Sequence, residues 1–234
     1  MIAQDQWLSG IFSYPVYYLE AFQEGDGAAV HTHMQAQVQA FYFAKVPTQD
    51  VTEVRALCHL GLYPVDVNIT LRHHRVELTQ EVSNIVESAQ GFENIVEEIA
   101  ASCFMYSRFH LDPQIPQAVA NEIKRAWVRN YLQGKRGDKL LLCLRDGNAA
   151  GFLAVKLDET EEGGLATIEL LGVDTRYQRQ GVGRELVAAF IKAYEGRART
   201  LQVGTQAANI PSLRLYESMG FRLAHTSYVL HGHV

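Results

Sequence analysis

The sequence predicts an α/β protein built on a mixed β-sheet, and three observations carry that prediction. Short apolar runs alternate with segments whose apolar residues recur every three to four positions, the pattern of strands feeding helices that pack on a sheet. Arg145-Asp146-Gly147-Asn148 contains the Asp-Gly pair of a tight hairpin turn. A length of 234 residues, 47% apolar and 20% charged, is ordinary for a globular chain with a sizeable core and excludes disorder, collagen-like repeats and a coiled coil.

Taken in order, Phe41 to Val46 predicts a strand and Gln49 to His59 a helix that Gly61 stops. Val65, Val67, Ile69 and Leu71 alternate with Asp66, Asn68, Thr70 and Arg72, a period of two that predicts a strand buried on one face. Ile95, Val96, Ile99, Ala100 and Cys103 form one helical face. Val119, Ile123, Trp127 and Tyr131 form another, with Pro116 suited to a helix first turn. Lys139 to Leu144 and Gly151 to Leu157 are the two arms of the hairpin, and Ala166 to Val173 is a third strand beyond the polar Glu161-Glu162-Gly163-Gly164 turn. Val182, Leu186, Phe190, Ile191 and Tyr194 make the apolar stripe of a helix. Thr200 to Val203 is a strand, Ile210 to Met219 a helix with Gly220 at its left-handed end, and Phe221 to Leu230 a last strand.

The strand–helix–Gly–strand order at 41–71 parallels that at 200–230, with Leu60-Gly61-Leu62 matching Met219-Gly220-Phe221. We therefore read a half-domain repeat: a small N-terminal α/β unit over residues 1–80 and a larger unit over 84–234, joined near 74–84.

The formal charge of −5, from 21 basic and 26 acidic side chains, disfavours nucleic acid and anionic membrane as partners, so any polyanionic ligand needs a local site. Cys58, Cys103 and Cys143 are too far apart for a disulfide framework or a metal motif and read as small buried hydrophobes in a reducing compartment. The sequence Met1-Ile2-Ala3-Gln4-Asp5 has no leader pattern, and no apolar stretch approaches the roughly 20 residues of a membrane helix, so a cytoplasmic location is expected. The nine histidines include His31-x-His33, His73-His74 and His231-x-His233; without a supporting cysteine motif they read as surface or edge-strand residues, and no metal is expected. Phe41-Tyr42-Phe43 reads as core and Asp158 to Glu162 as a solvated hairpin tip.

The most specific feature is Leu171-Gly172-Val173-Asp174 followed by Gln178-Arg179-Gln180-Gly181-Val182-Gly183. A strand end is followed by a loop and by two glycines opening a helix, where unpaired N–H groups and the positive helix end can receive a pyrophosphate. Arg179 and Arg184 add charge at the rim. Leu186 stands where a dinucleotide fingerprint needs a third small residue, and no P-loop is present.

With Asn209 and Leu215-Tyr216-Glu217-Ser218-Met219-Gly220-Phe221 downstream, this pattern resembles the GNAT acetyltransferases over roughly residues 84–230. The resemblance implies the GNAT fold with a truncated GNAT-like front unit. It also implies acetyl-CoA as cosubstrate, its pyrophosphate on the amides of residues 179–184 and its pantetheine in a splay between the strand ending at Val173 and the strand through Val203. Leu171, Val173, Gln178, Arg179, Gln180, Gly181, Val182, Gly183, Arg184, Asn209 and Ser212 are the expected cofactor residues. Ser107-Arg108-Phe109, Val203-Gly204-Thr205-Gln206 and a front unit with a Phe12-containing strand resemble the dTDP-fucosamine acetyltransferase branch, which acetylates the 4-amino group of a dTDP-linked 4-amino-4,6-dideoxy sugar.

Amine acetylation needs a neutral amine, an oxyanion donor and an acid for the departing sulfur. A backbone N–H near Val173 is the expected oxyanion donor. Tyr216 is the expected acid, seven residues from Asn209 and so on one helix face with it and Ser212. Glu169 occupies the place where many members of the family carry a base, with water-mediated proton removal as the alternative. Arg108 is expected to meet a phosphate and Phe109 to stack on a base or sugar, their plain alternatives being a surface charge and a core ring. A peptide N-terminus, an amino acid or a polyamine stays open as acceptor, as do a non-catalytic coenzyme A module and a homodimer.

Overall fold

The computed structural model describes residues 2–73, 84–160 and 163–234. The strands are β1 (Ile2–Gln4), β2 (Val16–Leu19), β3 (Phe41–Pro47), β4 (Tyr63–His73), β5 (Ile85–Val86), β6 (Lys139–Arg145), β7 (Asn148–Asp158), β8 (Leu165–Val173), β9 (Thr200–Gln206) and β10 (Phe221–His233). The helices are α1 (Gln6–Phe12), α2 (Gly27–Gln35), α3 (Val51–His59), α4 (Glu93–Ser102), α5 (Arg108–Leu111), α6 (Gln117–Leu132), α7 (Val182–Tyr194) and α8 (Ile210–Ser218).

All ten described strands join one mixed sheet in the order β1-β2-β3-β10-β4-β9-β8-β7-β6-β5. The half-repeat is visible in this order. Units β3-α3-β4 and β9-α8-β10 interlock, each second strand lying between the two strands of the other unit, with every neighbour antiparallel. The parallel pair β2–β3 mirrors the parallel pair β8–β9, and the antiparallel pair β1–β2 mirrors β7–β8. Both repeat helices end at a left-handed glycine, Gly61 at φ 92° and Gly220 at φ 89°, a geometry that a β-carbon would strain.

This interlock corrects the expectation that residues 1–80 form a separate unit. β4 is hydrogen-bonded on both sides by C-terminal strands, so the sheet has no break at that boundary. The junction predicted near 74–84 lies, except for Asn84, outside the described residues, as do residues 161 and 162 of the hairpin tip. Phe12 ends a helix and not a strand; its ring lies 5.2 Å from that of Phe41, tilted against it in the core. β1, β2, α2 and β5 escaped the sequence reading because the strands have two to four residues, too few for a period to declare itself.

Helices cover both faces. On one face α4 and α6 bury Val96, Ile99 and Val128 against Phe152 and Leu170, and α1 and α5 continue that layer over Phe41. On the other face α7 and α8 bury Leu186, Phe190 and Tyr216 against Leu71 and Val203, while α2 and α3 bury Val30 and Leu57 against Tyr42. The polar row of β4 faces the first of these layers: Asp66 and Thr70 are only 9% and 4% exposed, whereas alternation predicted a solvated face. Among the described residues no helix is long and apolar enough to cross a membrane.

Because Leu71 is a β4 residue packed into the C-terminal core, Leu71→Ala is expected to destabilise the whole protein by about 2–5 kcal/mol in one cooperative transition. Denaturant melts followed by a C-terminal and an N-terminal probe check this; a transition confined to the front eighty residues would contradict it.

Candidate active site

β8 and β9 run parallel and pair from Leu165 with Thr200 to Ile168 with Val203, then part, although β8 continues to Val173 and β9 to Gln206. The cause lies on the other edge of β8. Against β7, Ala154 pairs with Leu170 and Val155 with Ile168, so Glu169 is an extra residue in β8. Such a bulge bends its strand. Beyond Ile168 and Val203 the facing edges have no ladder partner, and a gap opens through the sheet.

A cavity of about 480 Å³ fills the gap and the adjoining loops. One wall is the start of α7. Arg179 and Gly181 are left-handed at φ 60° and 85°, turning the chain so that the helix begins at Val182. The first intrahelical bond is Glu185 N–H to the Gly181 carbonyl, so the N–H groups of Val182, Gly183 and Arg184 have no acceptor within the helix. A β-carbon on Gly183 would lie 3.2 Å from Leu215 and 3.9 Å from Leu171 and Val173, so the missing side chain keeps the wall open. Gln178 and Arg179 line the approach, and Arg184 is held by Ser218 at 2.8 Å. The opposite end is α8, where Asn209 accepts from Ser212 N–H at 3.3 Å and both residues line the cavity.

Of the residues expected to meet the cofactor, the cavity thus gathers Leu171, Val173, Gln178, Arg179, Gly181, Val182, Gly183, Arg184, Asn209 and Ser212. Gln180 is not among them; its amide donates to the Arg176 carbonyl at 2.9 Å. Tyr216 is 4% exposed, its ring 5.8 Å from Phe221, and its hydroxyl has no hydrogen-bond partner among the described residues. Burial raises its pKa, so the phenol stays protonated. It packs in the core and is not part of the lining.

The sequence reading missed the second wall, the α4–α5 loop from Cys103 to Ser107. These residues carry no spacing pattern, and only the fold brings them across from α7. Burial pushes the Cys103 thiol up to about 12, which favours the thiol over the reactive thiolate at neutral pH. Cys58 is exposed, so only Cys143 fits the expectation of a fully buried thiol.

Glu169, the expected base, is held in an ion pair. Its carboxylate accepts from Tyr131 Oη at 2.5 Å and from Arg136 Nη2 and Nε at 2.5 and 2.7 Å. Burial alone would raise its pKa, but the bonds from Arg136 and Tyr131 outweigh burial and hold it below the usual carboxylate value. A carboxylate that is ion-paired and accepts three hydrogen bonds is a weak base.

Arg108 and Phe109 do not meet the first cavity. They line a second one, of about 260 Å³, with Asp5, Trp7, Trp127 and Arg136. Arg108 sits 3.9 Å above the Phe43 ring and 4.3 Å from Phe109, and makes no ion pair among the described residues. Ser107 and Arg108, consecutive in the chain, face the two cavities, so one loop forms the partition between them.

His231 and His233 are also misplaced by the sequence reading. His231 is fully buried, and its Nδ1–H donates to Asp112 Oδ2 at 2.7 Å; His233 Nε2–H donates to the same oxygen at 2.8 Å and Tyr63 to the other at 2.7 Å. Arg108 Nη1 donates to His231 Nε2 at 3.4 Å, which fixes the neutral tautomer. The donor atoms of Asp112, His231 and His233 lie within 4.8 Å of one another, and their hydrogen bonds already engage them. Burial outweighs the Asp112 contact and depresses the His231 pKa to about 4. Below its ordinary value of about 6.5 the unfolded chain binds the proton more readily, so stability falls as pH drops from about 6.5 to 4. His231→Asn keeps a donor toward Asp112 and removes the titration. Its thermal midpoint should fall distinctly less than wild type over that range; an equal fall would place the titrating group elsewhere.

Comparison with known proteins agrees with this geometry. The acetyltransferase (GNAT) family model matches residues 96–221. The spore coat polysaccharide biosynthesis protein SpsD of Bacillus subtilis is 26% identical over 207 residues, covering 87% of this chain and 70% of that protein. The ribosomal protein bS18-alanine N-acetyltransferase of Escherichia coli K12 is 35% identical over 103 residues, covering 42% of this chain and 66% of that protein. A GCN5-related N-acetyltransferase from Sphaerobacter thermophilus superposes with a TM-score of 0.59 at 14% identity, covering 94% of this chain and 72% of that one. The parted strands, the glycine-opened helix and the family match together make this chain a member of the GNAT family and an N-acetyltransferase that uses acetyl-CoA as cosubstrate.

Proposed function

We propose that the enzyme acetylates the amino group of a nucleotide-linked amino sugar, most specifically a dTDP-linked 4-amino-4,6-dideoxy sugar. The observation that carries this reading is the second cavity abutting the cofactor gap. Trp7 and Trp127, 6.0 Å apart and edge to face, offer aromatic surface to a sugar or base ring. Arg108, which makes no ion pair among the described residues, offers its guanidinium group to a diphosphate. The similarity to SpsD, named for spore coat polysaccharide biosynthesis, supports a sugar acceptor. Free thiols at Cys58, Cys103 and Cys143 support a cytoplasmic setting.

In this reading the coenzyme A pyrophosphate sits on the N–H groups of Val182, Gly183 and Arg184, with Arg179 and Gln178 at the rim. The thioester lies where β8 and β9 part. An N–H of β8 near Val173 stabilises the oxyanion, and Tyr216 donates the proton that the sulfur takes as it leaves. The protonated, hydrogen-bond-free hydroxyl of Tyr216 supports that role.

Thiol release from acetyl-CoA should be fastest with the dTDP-amino sugar and at least ten-fold slower with an alanyl peptide or a polyamine. Preference for the peptide would replace the sugar reading with the peptide one. Gly183→Val should abolish coenzyme A binding in calorimetry while the fold persists, because the new side chain enters the space beside Leu215. Tyr216→Phe should lower kcat by ~10²–10⁴ and leave acetyl-CoA affinity nearly unchanged; near-wild-type turnover would return Tyr216 to a packing role.

A further inference from the structure

Transfer to an amine needs groups that accept hydrogen bonds from an ammonium and take one proton from it. Glu169 is spent on Arg136 and Tyr131, so the structure must supply them elsewhere. β4 lies across β9 from the gap, hydrogen-bonded to the strand that forms one of its edges, and its row Asp66, Asn68, Thr70 lies on the face toward α5. Asn68 is in register with Gln206 of β9, a residue that lines the cofactor cavity, and Thr70 with Gly204. Asp66 and Thr70 are buried polar residues, which is unusual for the middle of a sheet covered on both faces.

Two acceptor groups in this row are under-supplied with protein donors: the Asn68 amide oxygen has none, and the Asp66 carboxylate meets the Val67 backbone N–H. The Asn68 amide donates its Nδ2–H to the Thr205 carbonyl at 3.2 Å, which fixes its rotamer and leaves Oδ1 buried with no partner among the described residues. A buried amide oxygen left this way is costly unless a donor arrives. Two residues along, Asp66 is 9% exposed and forms no ion pair among the described residues. The charges facing it are Arg108 from α5 and Lys45 from β3, and the Val67 backbone N–H donates to it.

We propose that Asp66 and Asn68 form the amine subsite of this transferase, Asn68 Oδ1 holding the acceptor ammonium and Asp66 removing its proton. The assignment rests on the acetyl-transfer reading and not on the identity of the acceptor. One N–H proton passes to the Asp66 carboxylate, which becomes a carboxylic acid. The freed nitrogen lone pair bonds to the thioester carbonyl carbon. The C–S bond breaks, its electron pair stays on sulfur, and sulfur takes the Tyr216 proton while the second nitrogen proton restores the phenol. Burial raises the Asp66 pKa to about 6, against the lowering by Val67, Arg108 and Lys45. Its carboxylate is therefore a stronger base than an ordinary one, and it is ionised at neutral pH.

The test uses the full-length protein with acetyl-CoA and four primary amines: the dTDP-4-amino-4,6-dideoxy sugar, an alanyl peptide, aspartate and spermidine. With the amine that wild type turns over fastest, Asp66→Asn should lower kcat ~10²–10⁴-fold. It should also remove the acid limb of the kcat/KM profile near pH 6, while Asp66→Glu retains a limb. Asn68→Ala should raise the acceptor KM ten-fold or more with a smaller change in kcat. Acetyl-CoA affinity, measured by calorimetry, should stay within two-fold in all three variants, which separates the subsite from a folding defect. An unchanged acid limb in Asp66→Asn, or equal losses of acetyl-CoA and acceptor affinity, would overturn the proposal. Should the fastest amine be the peptide, the sugar reading falls while these same measurements still decide the subsite. No turnover with any of the four amines by a protein that binds coenzyme A would overturn both.

Discussion

The separation of two parallel strands is the constraint on which the rest of the structure depends. A parallel ladder ordinarily continues as far as both strands do, because each unmade backbone bond in a sheet interior costs free energy. Here β8 and β9 stop pairing after Ile168 and Val203, and the extra residue Glu169 in β8 sets the point at which they diverge. The bulge is stabilised from outside the sheet: Arg136 and Tyr131 grip the Glu169 carboxylate and hold the bent strand against α6. A side chain expected to do proton chemistry thereby acts as the anchor of the gap.

The gap would be an exposed liability if β9 were a free edge. The interlocked half-repeat prevents this. β4, supplied by the front of the chain, caps β9 on its far side, and β10 returns to cover β4, so the functional opening lies inside a ten-stranded sheet. The same arrangement brings residues far apart in sequence to one place: the α7 start from the C-terminal half, the α4–α5 loop, and the polar row of β4. Local charge follows. A chain of net charge −5 has Arg179 and Arg184 at one cavity and Arg108 and Arg136 at the next, so basic side chains gather at the cavities although the overall charge is negative.

Much of this was legible in the sequence where the signal is local. The glycines of Gly181-Val182-Gly183 and the left-handed Gly61 and Gly220 each impose backbone geometry on their own neighbours, and each stands where the sequence reading put it. The Asp146-Gly147 turn likewise has both residues at positive φ, as its hairpin requires. What could not be read is non-local. The alternation in β4 gives its period but not its neighbours, so Asp66 and Thr70 were assigned to solvent when two strands and α5 enclose them. Nothing near Glu169 in sequence announces Arg136, thirty-three residues away, and nothing near His231 announces Asp112. Polar residues buried against local expectation proved the most informative, because a sheet interior tolerates them only when they are paired or when they serve a ligand.

The central claim is that the peptide N–H groups opening α7, beside the parted strands, receive the pyrophosphate of coenzyme A. The most direct measurement is the change in backbone amide resonances of ¹⁵N-labelled protein on adding coenzyme A. The account predicts that the largest shifts fall on Val182, Gly183 and Arg184, with smaller ones on Leu171, Val173 and Asn209. Shifts centred on another part of the molecule, with the residues at the start of α7 unmoved, would contradict it.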